Sequence, residues 1–103
     1  MTNTDISDDV VLNTLAPGSL IDLDTHSRHY HIECLGGDEI RISGHPHYCP
    51  QPTTAHLKGS VDQNGVFQPG RIGSEMRLIF LLNDRPVTTS QVVNIHVHQP
   101  SLV

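Results

Sequence analysis

Histidine is the residue type in this chain best suited to chemistry, and its spacing is regular. Eight of the 103 residues are histidine. Six of them form pairs with one residue between the members, namely His29 with His31, His45 with His47, and His96 with His98. Residues two apart on a β-strand point to the same side. Each pair would present two imidazoles side by side, which suits a metal site, a pH-sensitive face or a merely polar surface.

The elements that must position these histidines are predicted to be β-strands from residue 19 onward. Apolar and polar residues alternate along several short segments, and Gly, Pro, Asn and Asp lie between them. The predicted strands are 19–25, 28–35, 39–43, 53–60, 75–82 and 87–98. This spacing predicts an all-β protein, a small partly open antiparallel β-barrel of five to seven short strands.

The register of the 28–35/39–43 hairpin follows from its turn at Gly36-Gly37-Asp38. A two-residue loop would oppose apolar and charged side chains. A three-residue loop puts every apolar side chain on one face, and such loops are common where a glycine is available. We therefore expect three cross-strand pairs: Cys34 with Ile40, Ile32 with Ile42, and Glu33 with Arg41.

The chain is long enough for one domain. We expect residues 1–14 to be a mobile or partly helical N-terminal tail and 15–103 to be a single β-barrel domain. Residues 66–73 are predicted to be a loop. Strand 75–82 is apolar on one face and largely apolar on the other, so it should be central or covered on both sides. In 87–98 we expect Val93, Ile95 and Val97 to face the core.

The hairpin register suggests a candidate metal site. If the pairing continued past residue 43, His29 would lie opposite His45, and the polar face of the 28–35/39–47 hairpin would carry His29, His31, His45 and His47. The site would be built from His29, His31 and His45, with His47, Cys49 or Glu33 as the fourth ligand. Zinc or another divalent transition metal accepts imidazole nitrogens. The plainer interpretation is a solvated strand face rich in histidine, and Pro46 weighs against continued pairing.

Signals for catalysis are weak. Cys49 near His47 resembles a thiol beside a base, but no third orienting group is visible. Asp22 and Asp24 could pair as acid and base, although a solvent-facing edge explains them more simply. The chain has no Gly-x-Ser-x-Gly, phosphate-loop or dinucleotide-binding signature. We therefore expect a non-catalytic protein that needs no cofactor.

Charge and hydropathy exclude several partners. The chain carries 6 basic and 11 acidic residues, a formal net charge of −5. We therefore expect neither nucleic acid nor a membrane surface as a partner. No apolar run approaches the roughly 20 residues of a membrane span. The polar, acidic start of the sequence is unlike a signal peptide, which predicts a cytoplasmic protein with Cys34 and Cys49 as free thiols.

Four short segments resemble a group of short, uncharacterised bacterial single-domain β proteins. They are Tyr30-His31-Ile32-Glu33, Pro52-Thr53-Thr54-Ala55-His56-Leu57-Lys58-Gly59-Ser60, Ile72-Gly73-Ser74-Glu75-Met76-Arg77-Leu78-Ile79-Phe80 and Thr88-Thr89-Ser90-Gln91-Val92. The resemblance implies a bacterial β protein and carries no activity or site residue with it. The density of histidine is not part of the shared pattern.

The leading functional hypothesis is a non-catalytic binding or regulatory module that acts through contacts with a protein partner. Strands 19–25 and 87–98 are predicted to offer exposed edges for strand addition, so homodimerisation through edge pairing is included. The alternative is a metal-binding protein that uses the histidine cluster described above. A third hypothesis is a small-ligand site in the barrel mouth, near 46–52 and 70–73.

Overall fold

The computed structural model describes residues 2–6 and 9–100, with side chains described from residue 9 onward. Regular structure within these ranges is β-strand, apart from one 3-10 turn at Leu12–Thr14. The strands are β1 (Thr2–Ile6), β2 (Asp9–Val11), β3 (Leu20–Thr25), β4 (His29–Gly36), β5 (Glu39–Ser43), β6 (Thr53–Val61), β7 (Phe67–Pro69), β8 (Arg71–Gly73), β9 (Arg77–Leu82) and β10 (Arg85–Pro100).

Six strands form a closed ring of hydrogen-bonded neighbours. The order is β3, β4, β5, β6, β9 and β10, and every pairing is antiparallel. β10 closes the ring because its 16 residues pair with β9 through the first half and with β3 through the second. β1 flanks β10, β7 flanks β6, and β2 pairs with β8. The all-β class and the small barrel-like architecture are confirmed.

The interior of the ring is built from the alternate apolar residues of its strands. Its fully buried side chains include Ile21, Leu23, Ile32, Ile40, Ile42, Leu57, Leu78 and Phe80. Phe80 packs edge-on against Tyr30, with ring centroids 6.4 Å apart and planes inclined by 70°. Because each strand turns its alternate residues inward, the polar residues between them are left on the outer surface.

The predicted register of the β4–β5 hairpin is confirmed. The three expected cross-strand pairs are present, and the Arg41 guanidinium donates to Glu33 Oε1 at 3.0 Å. Near the turn the register shifts, so that Gly36 pairs with Glu39. Gly36 and Gly37 both have positive φ, at 127° and 59°. A residue with a β-carbon rarely adopts such φ angles, which explains the two glycines at this turn.

The N-terminal segment differs from the predicted mobile or partly helical tail. Thr2–Ile6 pairs with the end of β10, and Asp9–Val11 pairs with β8. Val10 and Leu12 are buried in the core, which anchors residues 9–14 to the barrel. The only helical feature in this part of the described chain is the 3-10 turn at Leu12–Thr14. Residues 1, 7 and 8 of the predicted tail lie outside the described residues.

Two further predictions about strands are wrong. Val93 is exposed and Val92 is buried, because the β10–β3 register shifts between Val92 and Asn94 and reverses the alternation there. The segment 66–73, predicted to be a loop, contains the short strands β7 and β8.

The predicted edge strands are interior strands. β3 lies between β4 and β10, and β10 pairs with β1, β3 and β9. Closing the ring occupies the backbone groups that an added strand would need. Among the described strands, those with a single partner are the short ones: β1, β2, β7 and β8.

Candidate functional site

Aspartates on β3 lie between histidines of both neighbouring strands. Asp22 is opposite His31 of β4 and His96 of β10, and Asp24 is opposite His29. All of these side chains point outward, because Ile21 and Leu23 between them point into the core. We call this surface the histidine–carboxylate face and define it as Asp22, Asp24, His29, His31, His96 and His98.

Three of the four imidazoles of this face donate hydrogen bonds to the carboxylates. Nδ1 of His31 lies 2.6 Å from Asp22 Oδ1, Nδ1 of His29 lies 2.6 Å from Asp24 Oδ1, and Nε2 of His98 lies 3.2 Å from Asp22 Oδ2. An ionised carboxylate only accepts, so the bonded ring nitrogens carry the protons. Both aspartates of the face are thus hydrogen-bonded to histidines.

The pKa values of the face follow from these bonds. Burial raises the pKa of Asp22, but hydrogen bonds from His31 and His98 outweigh it and leave the pKa below its usual value. The hydrogen bond from His29 lowers the pKa of Asp24, and the same bond raises the pKa of His29. Both aspartates therefore stay ionised in mildly acidic solution, where His29 gains its charge.

The four predicted metal ligands lie on two segments, His29 and His31 on β4 and His45 and His47 in the loop after β5. Pairing between β4 and β5 ends at His31 and Ser43. Gly44 then approaches the backbone of β4 so closely that a β-carbon there would lie 2.2 Å from the His29 carbonyl oxygen. His45 forms a bridge with Cys49, not with His29. Within residues 9–100, no three His, Cys, Asp or Glu side chains are grouped so that they could hold a metal ion.

His45 organises the loop that follows β5. Its Nδ1 accepts hydrogen bonds from the backbone N–H groups of His47, at 3.1 Å, and Tyr48, at 3.2 Å. A nitrogen that accepts two bonds must be unprotonated. Burial, and next the charge of Arg28, lower the pKa of His45, so its environment also favours the neutral ring. His45 thus stabilises the backbone of the loop at residues 45–49.

A cleft lies between this loop and the β9–β10 hairpin. It has a volume of about 590 Å³ and is lined by His47, Tyr48, Asn83, Arg85 and apolar side chains of the hairpin. The cleft beside Leu57 measures only 240 Å³. Ligand sites in proteins span roughly 300 to 1,000 Å³, and the cleft between the loop and the β9–β10 hairpin falls in that range. We call this cleft the Tyr48 cleft.

The polar groups of the Tyr48 cleft are less satisfied than those of the histidine–carboxylate face. Tyr48 is 50% exposed, and its ring lies near the rings of His45 and His47, at centroid distances of 4.6 and 5.1 Å. Arg85 has no carboxylate partner among the described residues. Three other cations do, since Arg41, Lys58 and Arg71 pair with Glu33, Asp38 and Asp9.

Neither cysteine is placed to act as a nucleophile. Cys34 and Cys49 are free and buried. Burial raises the pKa of Cys34 to about 11, and burial also raises the pKa of Cys49. We expect neither thiol to react with Ellman's reagent in the native protein at neutral pH and both to react after unfolding. Rapid release of one equivalent of chromophore from the native protein would contradict this expectation.

The His29–Asp24 pair should make folding stability depend on pH. The pKa of His29 is raised in the folded state, so its contribution is full below the unfolded pKa, about 6.5, and is lost as pH rises through the folded value. His29→Gln should therefore lower the melting temperature more at about pH 5.5 than at about pH 8. His26→Gln is the control, because its ring makes no described hydrogen bond. An equal effect of His29→Gln at both pH values would refute the assignment.

Sequence reasoning found the histidines but missed their partners. Asp22 and Asp24 were expected at a solvent-facing edge, and they lie at the centre of the face. The two aspartates have the same two-residue spacing as His29/His31 and His96/His98. This shared spacing is the feature of the sequence that could have identified them as partners of the histidines. The segment 46–52 was expected to border a ligand site. The opposite wall of the Tyr48 cleft comes from the β9–β10 hairpin, not from 70–73.

Comparison of the chain with protein-family models, with curated proteins and with solved structures finds no match. In the part of the chain that the structure describes, no helix is long and apolar enough to cross a membrane.

Proposed function

We propose that the protein is a non-catalytic β-barrel module that binds a protein partner, and that the Tyr48 cleft is its contact surface. The observation that carries the proposal is a half-exposed Tyr48 in the same cleft as Arg85, which has no counter-ion in the described chain. Tyrosine and arginine are the side chains, with tryptophan, that most often dominate the energy of protein interfaces.

The chemistry of the other candidate groups favours binding over catalysis. The thiols of Cys34 and Cys49 are buried and have raised pKa values, so they supply little thiolate at neutral pH. The aspartates on β3 have lowered pKa values, which makes them poor general acids. Two free thiols also suit a reducing compartment, and we propose a bacterial cytoplasmic setting.

The Tyr48 cleft is a better contact surface than the histidine–carboxylate face. On that face the imidazoles and carboxylates already bond to one another, and a partner would have to replace those bonds. Replacing one hydrogen bond by another yields little net free energy. At Arg85 a partner would replace hydrogen bonds to water only, and no hydrogen bond within the described part of the protein would be broken.

A selection from a library of displayed peptides tests the proposal. We expect peptides that enrich on the wild-type protein to lose at least ten-fold in affinity on Tyr48→Ala. Phe67→Ala is the matched control, because Phe67 is similarly exposed, at 44%, but lies outside the cleft on β7. Its affinities should equal those of the wild type. Enriched peptides that bind Tyr48→Ala equally well, or no enrichment at all, would refute the proposal.

A further inference from the structure

Resting on the proposed function, we infer that the Tyr48 cleft recognises a peptide segment that carries a carboxylate beside an apolar side chain. Arg85 binds the carboxylate, and Tyr48 packs against the neighbouring apolar group. The inference specifies the chemistry of the partner, which the proposed function leaves open.

The charge of the cleft is opposite to that of the chain. The protein carries a formal net charge of −5, yet no acidic side chain among the described residues lines this cleft. Asp84 occupies the turn next to Arg85 but forms no ion pair with any described residue. A guanidinium stays charged in proteins and binds a carboxylate through two parallel hydrogen bonds. A carboxylate is therefore the complementary group for this site.

Both walls of the cleft are held in place before a ligand arrives. Arg85 pairs with Leu82 across a two-residue turn, in which Asn83 and Asp84 adopt φ values of 52° and 64°. Such a turn matches the twist of its strands and makes a tight hairpin. On the other wall, the two hydrogen bonds to His45 Nδ1 fix the backbone at Tyr48. Little backbone conformational entropy is then lost on binding.

The apolar part of the cleft favours a peptide over a small inorganic anion. Pro86 and Val87 follow Arg85 along the wall, and the ring of Tyr48 faces the same space. A small anion would contact Arg85 and leave these surfaces in water. A carboxylate attached to a chain with an adjacent apolar side chain uses both surfaces, because burial of apolar area adds to the ionic contact.

Fluorescence anisotropy with short labelled peptides tests the inference. One peptide carries a glutamate beside a leucine and has an amidated C-terminus. A second carries glutamine in place of glutamate and has a free C-terminal carboxylate beside the leucine. A third carries glutamine and is amidated. We expect at least one carboxylate peptide to bind ten-fold more tightly than the third, and the better of the first two shows whether a side chain or a chain end is preferred.

Variants connect the preference to the cleft. Arg85→Gln should abolish the difference between the carboxylate and neutral peptides. Arg77→Gln is the control: Arg77 also has no described ion pair but lies outside the cleft, so this variant should keep the difference. A preference that survives in Arg85→Gln would overturn the inference.

The design separates failure of the inference from failure of the proposed function. Equal binding of all three peptides, lost in Tyr48→Ala, would refute carboxylate recognition and leave the proposed contact surface standing. A second pair of results would also refute carboxylate recognition and leave the contact surface standing. In it, none of the three peptides binds, and the library yields peptides that lack carboxylates and depend on Tyr48. Absence of binding by all three and of any enrichment from the library would refute both.

Discussion

Gly59→Ala is expected to destabilise the protein by roughly 3 kcal/mol or more, since backbone strain of this kind alone costs about 1–3 kcal/mol. Gly59 has a φ of 145°, and a β-carbon added there would lie 2.1 Å from the Gln68 carbonyl oxygen and 2.9 Å from the Gly70 nitrogen. These contacts are with backbone atoms of β7 and its end, which pair with β6 at this point. The substitution would force the two strands apart.

Gly37→Ala is the control for this prediction. Gly37 also has a positive φ, of 59°, but an added β-carbon would meet nothing within 4 Å. Only the conformational cost remains, about 1–2 kcal/mol. Urea unfolding followed by far-ultraviolet circular dichroism measures both variants. Equal losses in the free energy of unfolding would show that β7 does not lie against Gly59.

Phe80→Ala is expected to cost about 3–5 kcal/mol, a large part of the 5–15 kcal/mol typical of a whole domain. Phe80 is fully buried at the centre of the ring and packs against Tyr30. Removing the phenyl group leaves a cavity among side chains contributed by several strands. Because these strands form a closed ring of hydrogen-bonded neighbours, the side chains can relax only a little into the cavity. The same urea experiment measures the loss.

Phe67→Ala makes the same chemical change at an exposed position of β7. It should cost less than about 1 kcal/mol, because exposed substitutions usually have small effects. A cost for Phe80→Ala as small as that of Phe67→Ala would contradict the position of Phe80 in the core.

The parts of the fold that sequence predicts are those set by local alternation. In β4 and β5, opposite charges at Glu33 and Arg41 and a glycine turn select one register, and the structure has it. The inward residues of β6 and β9 follow the same rule. Alternation identifies which residues of a strand share a face, because a shift of one residue would bury charged groups.

Contacts between distant parts of the chain could not be predicted in this way. The local pattern of residues 19–25 does not show that β10 pairs with this segment. The contact between Asp22 and His98 could therefore not be predicted from the sequence. The register shift near Val92 interrupts the alternation, and no glycine or proline between Val92 and Asn94 indicates it in the sequence. The Tyr48 cleft combines residues 47–48 with 82–87 and depends on the closure of the whole ring.

His29 and His45 occupy opposite environments: His29 donates to an aspartate on the outer face, and His45 accepts backbone hydrogen bonds in the loop that holds Tyr48. Proton–nitrogen NMR of the imidazoles during a pH titration tests this directly. We predict a pKa above the usual histidine value for His29 and below it for His45, with the proton of neutral His45 on Nε2. The reverse order of the two pKa values, or a neutral His45 protonated on Nδ1, would contradict it.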